Sequence, residues 1–195
     1  MAPAPPRQPG SIQGPVAEAI ARQRAIRDYT AEPVTDASLA VLLDAAYRTG
    51  TERNRQRWAV IVITDPAQRQ RLAAHGDRTS PLQAAPLVLA LVQEADGYEF
   101  DTGRIAQNIM ITATALGLAT CPVTLHRDHD ARHLLGLHDG QRCRYALAIG
   151  HPRPSARPAR LDPRRPRQEL IRHDRCIPGQ TAPPPGQPDL IDRGK

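Results

Sequence analysis

The sequence predicts an α+β domain over residues 16–175, set between a disordered arm at residues 1–15 and a disordered proline-rich tail at residues 176–195. Three observations predict it. With 195 residues and 40% hydrophobic side chains, the chain carries enough apolar surface for one sizeable core. Apolar runs of strand length alternate with longer segments whose apolar residues recur at helical spacing. One stretch, Asp101 to Thr124, is almost free of charge in a chain where 24% of residues are charged. It reads as a central helix feeding a buried strand. Ile105, Ile109, Thr112, Ala113 and Leu116 share a helical face while Ala106, Met110, Ile111, Ala115 and Leu118 fill the other sides, so the helix is expected to be buried nearly all round. A single domain rarely encloses a helix so fully, which points to a core shared between two subunits.

The elements follow in order. Residues 1–14, with Pro3, Pro5, Pro6, Pro9 and Gly10, hold no periodic pattern. Val16 to Arg27 is expected to be one helix, with Arg22, Arg24 and Arg27 gathered at its C-terminal end as either a solvated helix end or an anion clamp. After a turn at Pro33, Thr35 or Asp36 caps a helix that carries Leu39, Leu42, Leu43, Ala46 and Tyr47 and ends at Gly50. The polar segment TERNRQRW precedes a buried strand, AVIVIT, and a loop against a buried strand is a frequent place for ligand contacts. Pro66 opens a further helix, GDRTSP reads as a turn, and Leu87 to Val92 is a second buried strand. The central helix stops at Gly117, and CPVTL resumes an extended path in which Pro122 marks an edge or a ligand site. Asp128 to Leu137 reads as a short surface helix and Arg144 to Pro152 as a third apolar strand.

Composition removes several function classes. The first ten residues lack an apolar export region and no run is long enough to span a bilayer, so cytoplasm is the expected compartment and no membrane partner is indicated. Cys121, Cys143 and Cys176 are odd in number and widely spaced, which argues against a disulfide framework or structural zinc. His129 and His133 lack the glutamate of a zinc-protease helix. A net charge of +6 raises nucleic acid as a partner, but only 3% of residues are aromatic and no nucleic-acid-binding pattern occurs. The late arginines therefore read as solvated surface or small-anion sites.

Three separated patterns resemble the FMN-dependent nitroreductase family. The family's R-R-S-x-R-x-F sequence is met by Gln23, Arg24, Ala25, Ile26, Arg27, Asp28 and Tyr29, with Glu32 to Val34 following at a family-like distance. A P-S-x-x-N-x-Q-P-W pattern is met by Gly50 to Trp58. The D-x-G-x-x-x-Q-N helix with its A-L-G-L turn is met by Asp101 to Gly117, and the family's ending by Leu135 to Leu137 and Ile149 to Pro152.

The resemblance implies a three-layer α-β-α sandwich with a mainly antiparallel central sheet, in an intertwined homodimer. It implies FMN as cofactor and NAD(P)H as electron donor, with a nitroaromatic, a quinone or a similar small molecule as acceptor. The alternatives are a flavin oxidase or dehydrogenase of a peptide-derived or heterocyclic substrate, or a flavin-binding subunit without turnover. No catalytic side chain or metal is implied, because the flavin carries the chemistry. The cofactor-binding positions carried over are Gln23, Arg24, Ala25, Arg27, Thr51, Asn54, Gln56, Pro122, Val123, Thr124, Leu125, Arg164 and Arg165. Among them the arginines serve the phosphate, Thr51 and Asn54 come from the partner subunit, and the Thr124 backbone N–H donates to flavin N5. Gln23 and Ala25 replace a usual arginine and serine, and one lost charge-assisted bond weakens FMN binding roughly tenfold. Arg55 and Arg57 replace smaller residues, which predicts a shallow electropositive pocket.

Overall fold

A computed structural model of the chain describes residues 14–158 together with Arg164, Leu170 and Ile171. Contacts divide the chain into two units, Met1–Ala159 and Arg160–Lys195. In the second unit the three described residues are exposed. The expected tail, Arg165 and Cys176 lie outside the described residues, as does the expected N-terminal arm up to residue 13.

Helix α1 covers Pro15–Arg22 and α2 covers Asp36–Tyr47, where the Thr35 hydroxyl accepts from Ser38 N as N-cap. A short 3₁₀ turn at Glu52–Asn54 leads into β1, Trp58–Ile63. Asp65 caps α3, Pro66–Ala73, by accepting from Ala67 N and Gln68 N, and Pro66 opens its first turn. Helix α4, Ser80–Ala84, precedes β2, Leu87–Gln93. Then come α5, Glu99–Ala115, β3, Ala119–Thr124, α6, Asp128–Leu134, and β4, Arg142–Gly150.

The four strands form one antiparallel sheet in the order β1-β2-β4-β3. Its central strands are apolar without a break from Leu87 to Val92 and from Ala146 to Ile149, where both faces are covered. Leu87, Leu89 and Leu91 of β2 join Leu147 and Ile149 of β4 in a core under α2 and α5, with Leu42, Ile105 and Ile109. Val88 and Ala90 alternate to the opposite face, where Ala146 and Ala148 meet Leu72, Leu82 and Ala131 from α3, α4 and α6. The result is the three-layer α-β-α arrangement. Cutting a fully buried residue such as Leu89 or Ile109 to alanine is expected to cost about 2–5 kcal/mol.

Several features differ from those read in the sequence. Helix α1 stops at Arg22, not Arg27, because Ala25 pairs with Thr120 beside β3 and Ile26 packs on the core, which holds residues 24–27 extended. The turn-like GDRTSP contributes to a helix of its own, α4. Helix α5 has one open side: Ile105, Ile109, Met110 and Ala113 are buried, but Gly103, Gln107 and Ala115 are exposed and Leu116 is 40% exposed. Its end is as expected. Gly117 takes φ +74°, Leu118 N donates to Ala113 O at 2.8 Å and Gly117 N to Thr114 O at 3.2 Å. These two bonds close the carbonyls of the last turn, and Leu118 folds into the core.

Candidate functional site

The candidate site is built on the outer edge of β3. Ile26 N donates to Thr120 O at 3.0 Å on one side of this strand, and Leu125 N donates to Arg144 O at 2.8 Å on the other. Backbone groups alternate in direction along a strand. Thr120, Pro122 and Thr124 therefore turn theirs to the outer edge, while Cys121, Val123 and Leu125 turn theirs to β4. Pro122 sits where the ladder needs no donor, which is how a proline is accommodated in this strand. The Thr124 N–H lies on the same outer side.

A cavity of about 290 Å³ opens there, lined by Arg27, Asp77, Arg78, Cys121, Pro122, Val123, Thr124 and His126. Four of the residues carried over from the family pattern, Arg27, Pro122, Val123 and Thr124, thus meet around one space. Asp77 and Arg78 arrive on the connection between α3 and α4. That connection is pressed against the end of β3: Arg127 N donates to His75 O at 3.0 Å, and a Cβ on Gly76 would stand 2.7 Å from Thr124 O. Only glycine allows this approach. Asp77 is flanked by His126 at 3.5 Å and Arg127 at 3.7 Å. Burial pushes the Cys121 thiol up from its ordinary range, with the nearby Arg27 charge opposing it.

Arg78, Asp77 and His126 were not legible from sequence as site residues. Arg78 falls in a polar turn with nothing in its spacing to separate it from other surface arginines. Only the docking of Gly76 on Thr124 brings it to the cavity.

Other expected positions lie elsewhere. Arg24 turns back on its own helix end, where Nη1 donates to Ala21 O at 2.8 Å and to Gln23 O at 2.7 Å. Gln23 points Nε2 at the Met110 sulfur, 3.8 Å away. Ala25 bridges to Thr120. Leu125 is fully buried with its N–H committed to Arg144, so it presents no polar group to the cavity. Arg164 is exposed in the second unit.

Thr51, Asn54 and Gln56 form a separate, self-bonded loop. Gln56 N donates to Thr51 Oγ1 at 3.1 Å, Gln56 Nε2 to Asn54 Oδ1 at 3.0 Å, and Glu52 N to Asp101 Oδ2 at 3.0 Å. Arg53, Asn54 and Gln56 all hold positive φ, at 47°, 55° and 52°. Such a run costs about 1–2 kcal/mol per residue and persists because the surrounding bonds fix it. The two arginines expected to make this region electropositive are paired with acidic side chains. Arg55 pairs with Asp96 at 2.5 Å and with Glu52 at 3.7 Å, and Arg57 lies 3.5 Å from Asp96, so both added charges are offset locally.

Among the described residues no helix is long and apolar enough to cross a membrane, and no group of three or more His, Cys, Asp and Glu could hold a metal ion.

Known proteins share this architecture. The NADPH-flavin oxidoreductase of Vibrio harveyi is 25% identical over 155 residues, covering 69% of this chain and 65% of that protein. The NADH dehydrogenase of Thermus thermophilus is 32% identical over 75 residues, 38% of this chain and 37% of that protein. The chain therefore spans less than two thirds of the length of these relatives. The solved structure of NADPH:FMN oxidoreductase from Vibrio harveyi complexed with NAD+ superposes with a TM-score of 0.75 at 21% identity, covering 84% of this chain and 79% of that chain. Matches to the Nitroreductase family model run over residues 20–95 and 78–151, taking in α2 to α6, the whole sheet and the β3 cavity, and the chain belongs to that family.

Proposed function

We propose that the protein is an FMN-dependent oxidoreductase that passes hydride from NAD(P)H to a nitroaromatic, quinone or similar small-molecule acceptor. The observation that carries this reading is the convergence of Arg27, Pro122, Val123 and Thr124 on one cavity from separate parts of the sequence. The donor set there suits a flavin mononucleotide. Arg27 and Arg78 supply fixed positive charge of the kind a phosphate requires. The outward Thr124 N–H is a backbone donor on the outer edge of β3, and Pro122 and Val123 offer apolar surface to a ring. FMN, when bound, supplies the atom that takes and gives hydride, and the chain's task is to hold and orient it. Arg78 stands in for the charge missing at Gln23.

The working unit in this proposal is a homodimer. Its support is the open side of the charge-poor helix α5 and the strained loop at residues 51–57, which lines no part of its own chain's β3 cavity. Thr51, Asn54 and Gln56 would then complete the cavity of the second subunit. Cytoplasm remains the proposed compartment.

The test is the visible spectrum of the purified protein, followed by anaerobic titration with NADH and NADPH and by light scattering. A flavin band bleached by either nucleotide in a dimer is expected. Protein that stays colourless after incubation with FMN overturns the proposal. A flavin band that neither nucleotide bleaches would instead favour an oxidase or dehydrogenase of another substrate.

A further inference from the structure

His129 and His133 take no part in the cavity at β3. They stand four residues apart on α6, so their side chains share one face of that helix. The other side of the helix is anchored. Ala131 is fully buried, Leu134 packs against the core, and Gln68 Nε2 donates to Leu134 O at 3.3 Å. Both imidazoles are exposed to solvent. Their ring centres lie 4.7 Å apart, one ring edge-on to the other. An imidazole nitrogen binds a divalent transition ion at about 2.0–2.1 Å, which puts each ring centre roughly 3.2 Å from the ion. Two centres 4.7 Å apart then subtend an angle of about 95° at one shared ion, close to the right angle between neighbouring ligands in square-planar and octahedral coordination.

The surroundings of the pair give a second, independent indication. His129 Nδ1 faces Asp130 Oδ1 at 3.6 Å. A carboxylate beside one ring nitrogen favours the proton on that nitrogen and leaves Nε2 as the lone-pair donor, and such a carboxylate is the usual outer partner of a ligating histidine. The two arginines nearest in the chain are engaged elsewhere, Arg127 at 3.7 Å from Asp77 and Arg132 at 2.9 Å from Asp139. Their charges are offset by these carboxylates, which lowers the opposition a cation meets at the pair.

We propose that His129 and His133 clasp a single divalent transition-metal ion, copper(II) or nickel(II) in preference to zinc(II), through one nitrogen of each ring. Imidazole is a suitable ligand for all three, and the near-right angle fits the tetragonal geometry of the first two. Among the described residues no third His, Cys, Asp or Glu completes a closed metal cage with them. Water therefore fills the remaining positions, and the ion is exchangeable, unlike the ion of a closed structural site. The site is separate from hydride transfer and does not depend on the flavin reading.

Calorimetric titration of the full chain, purified without an affinity tag, with nickel(II) chloride tests it. Saturable binding of one nickel ion per chain at the pair is expected. His129→Gln and His133→Gln should each weaken that binding by more than about tenfold, because either change turns a two-point clasp into a single contact. Asp130→Asn should weaken it by roughly two- to fivefold, less than an enclosed outer-shell carboxylate contributes, since solvent screens this one. Glutamine is a good helix former and both positions are exposed, so the far-ultraviolet circular dichroism of the variants should match the wild type. Should a glutamine variant lose that spectrum, His133→Arg, which keeps a helix-favouring side chain and removes the ligand, provides the same comparison. Wild-type protein that shows no saturable nickel binding overturns the proposal. Binding that neither histidine change alters overturns it as well, since the ion would then sit at another of the chain's histidines. Two ions bound by the wild type, with each single variant losing one and keeping the other at unchanged affinity, would show that the rings act separately and would also overturn it.

Discussion

The backbone N–H of Ile26 donates to the carbonyl of Thr120 at 3.0 Å, so the segment carrying Arg27 is fixed to the outer edge of β3 by a bond that no side chain supplies. This bond explains why α1 ends early and why Arg27 reaches the cavity that Pro122 and Thr124 line. Replacing Ile26 with proline removes the donor and leaves every arginine in place. FMN affinity is expected to fall by more than about tenfold, as for loss of a charged contact, while Ile26→Val keeps it. Quenching of FMN fluorescence measures both. Equal affinity in the proline variant would show that the edge pairing does not position the site.

The two arginines of the N-terminal pattern should behave differently. Arg27 lines the cavity, whereas Arg24 is taken up by the carbonyls of Ala21 and Gln23. Arg27→Gln is expected to weaken FMN by about 10- to 100-fold, the worth of a charge-assisted bond of 1.5–3 kcal/mol. Arg24→Gln should change it by less than about threefold, with a small loss of stability from the freed helix end. Arg78→Gln should resemble Arg27→Gln. If Arg24→Gln proves the more damaging, the phosphate lies outside this cavity.

How far the sequence could be read follows from which contacts are local. The three apolar strands and the Gly117 stop were legible because burial on both faces and positive φ leave their mark in adjacent residues. The end of α1 was not, since Ala25 and Ile26 suit a helix and leave it only because Thr120, far along the chain, offers a carbonyl. Arg27, Pro122 and Thr124 were reached through the family pattern, yet the same pattern could not separate Arg27 from Arg24 or foresee Arg78. Those outcomes depend on where an arginine turns and on Gly76 meeting Thr124. The pairing of Arg55 and Arg57 with Asp96 was hidden for the same reason.

Charged substitutions on α5 should divide by face. Ala113 is fully buried and Met110 is 8% exposed, both within the chain's own core. A charge at Ala113 would be buried without a partner, so Ala113→Arg is expected to lose several kcal/mol and to fail to fold. Gln107 and Ala115 lie on the exposed side. Gln107→Arg and Ala115→Arg should keep the far-ultraviolet circular dichroism of the wild type, shift it from dimer to monomer in light scattering, and release FMN. A dimer that survives both changes would place the subunit contact elsewhere.

Tyr29 should make stability depend on alkaline pH. Its side chain is 3% exposed, and its hydroxyl donates to Ile26 O at 2.6 Å, with Ala148 O at 3.3 Å. Burial, reinforced by Cys121 and opposed by Arg27, holds the phenol far above its ordinary range. The folded pKa is raised, so the contribution is fully present below the unfolded value near 10 and declines as pH rises beyond it, because the unfolded chain ionises first. The decline is about 1.4 kcal/mol per pH unit for this one group. At pH 8, Tyr29→Phe should lose about 0.5–1.5 kcal/mol through its missing hydrogen bond. At pH 11 the phenylalanine variant escapes the ionisation penalty, and the difference should close or reverse. Urea denaturation of both proteins at the two values measures this, and a gap that stays constant would show that Tyr29 is open to solvent base.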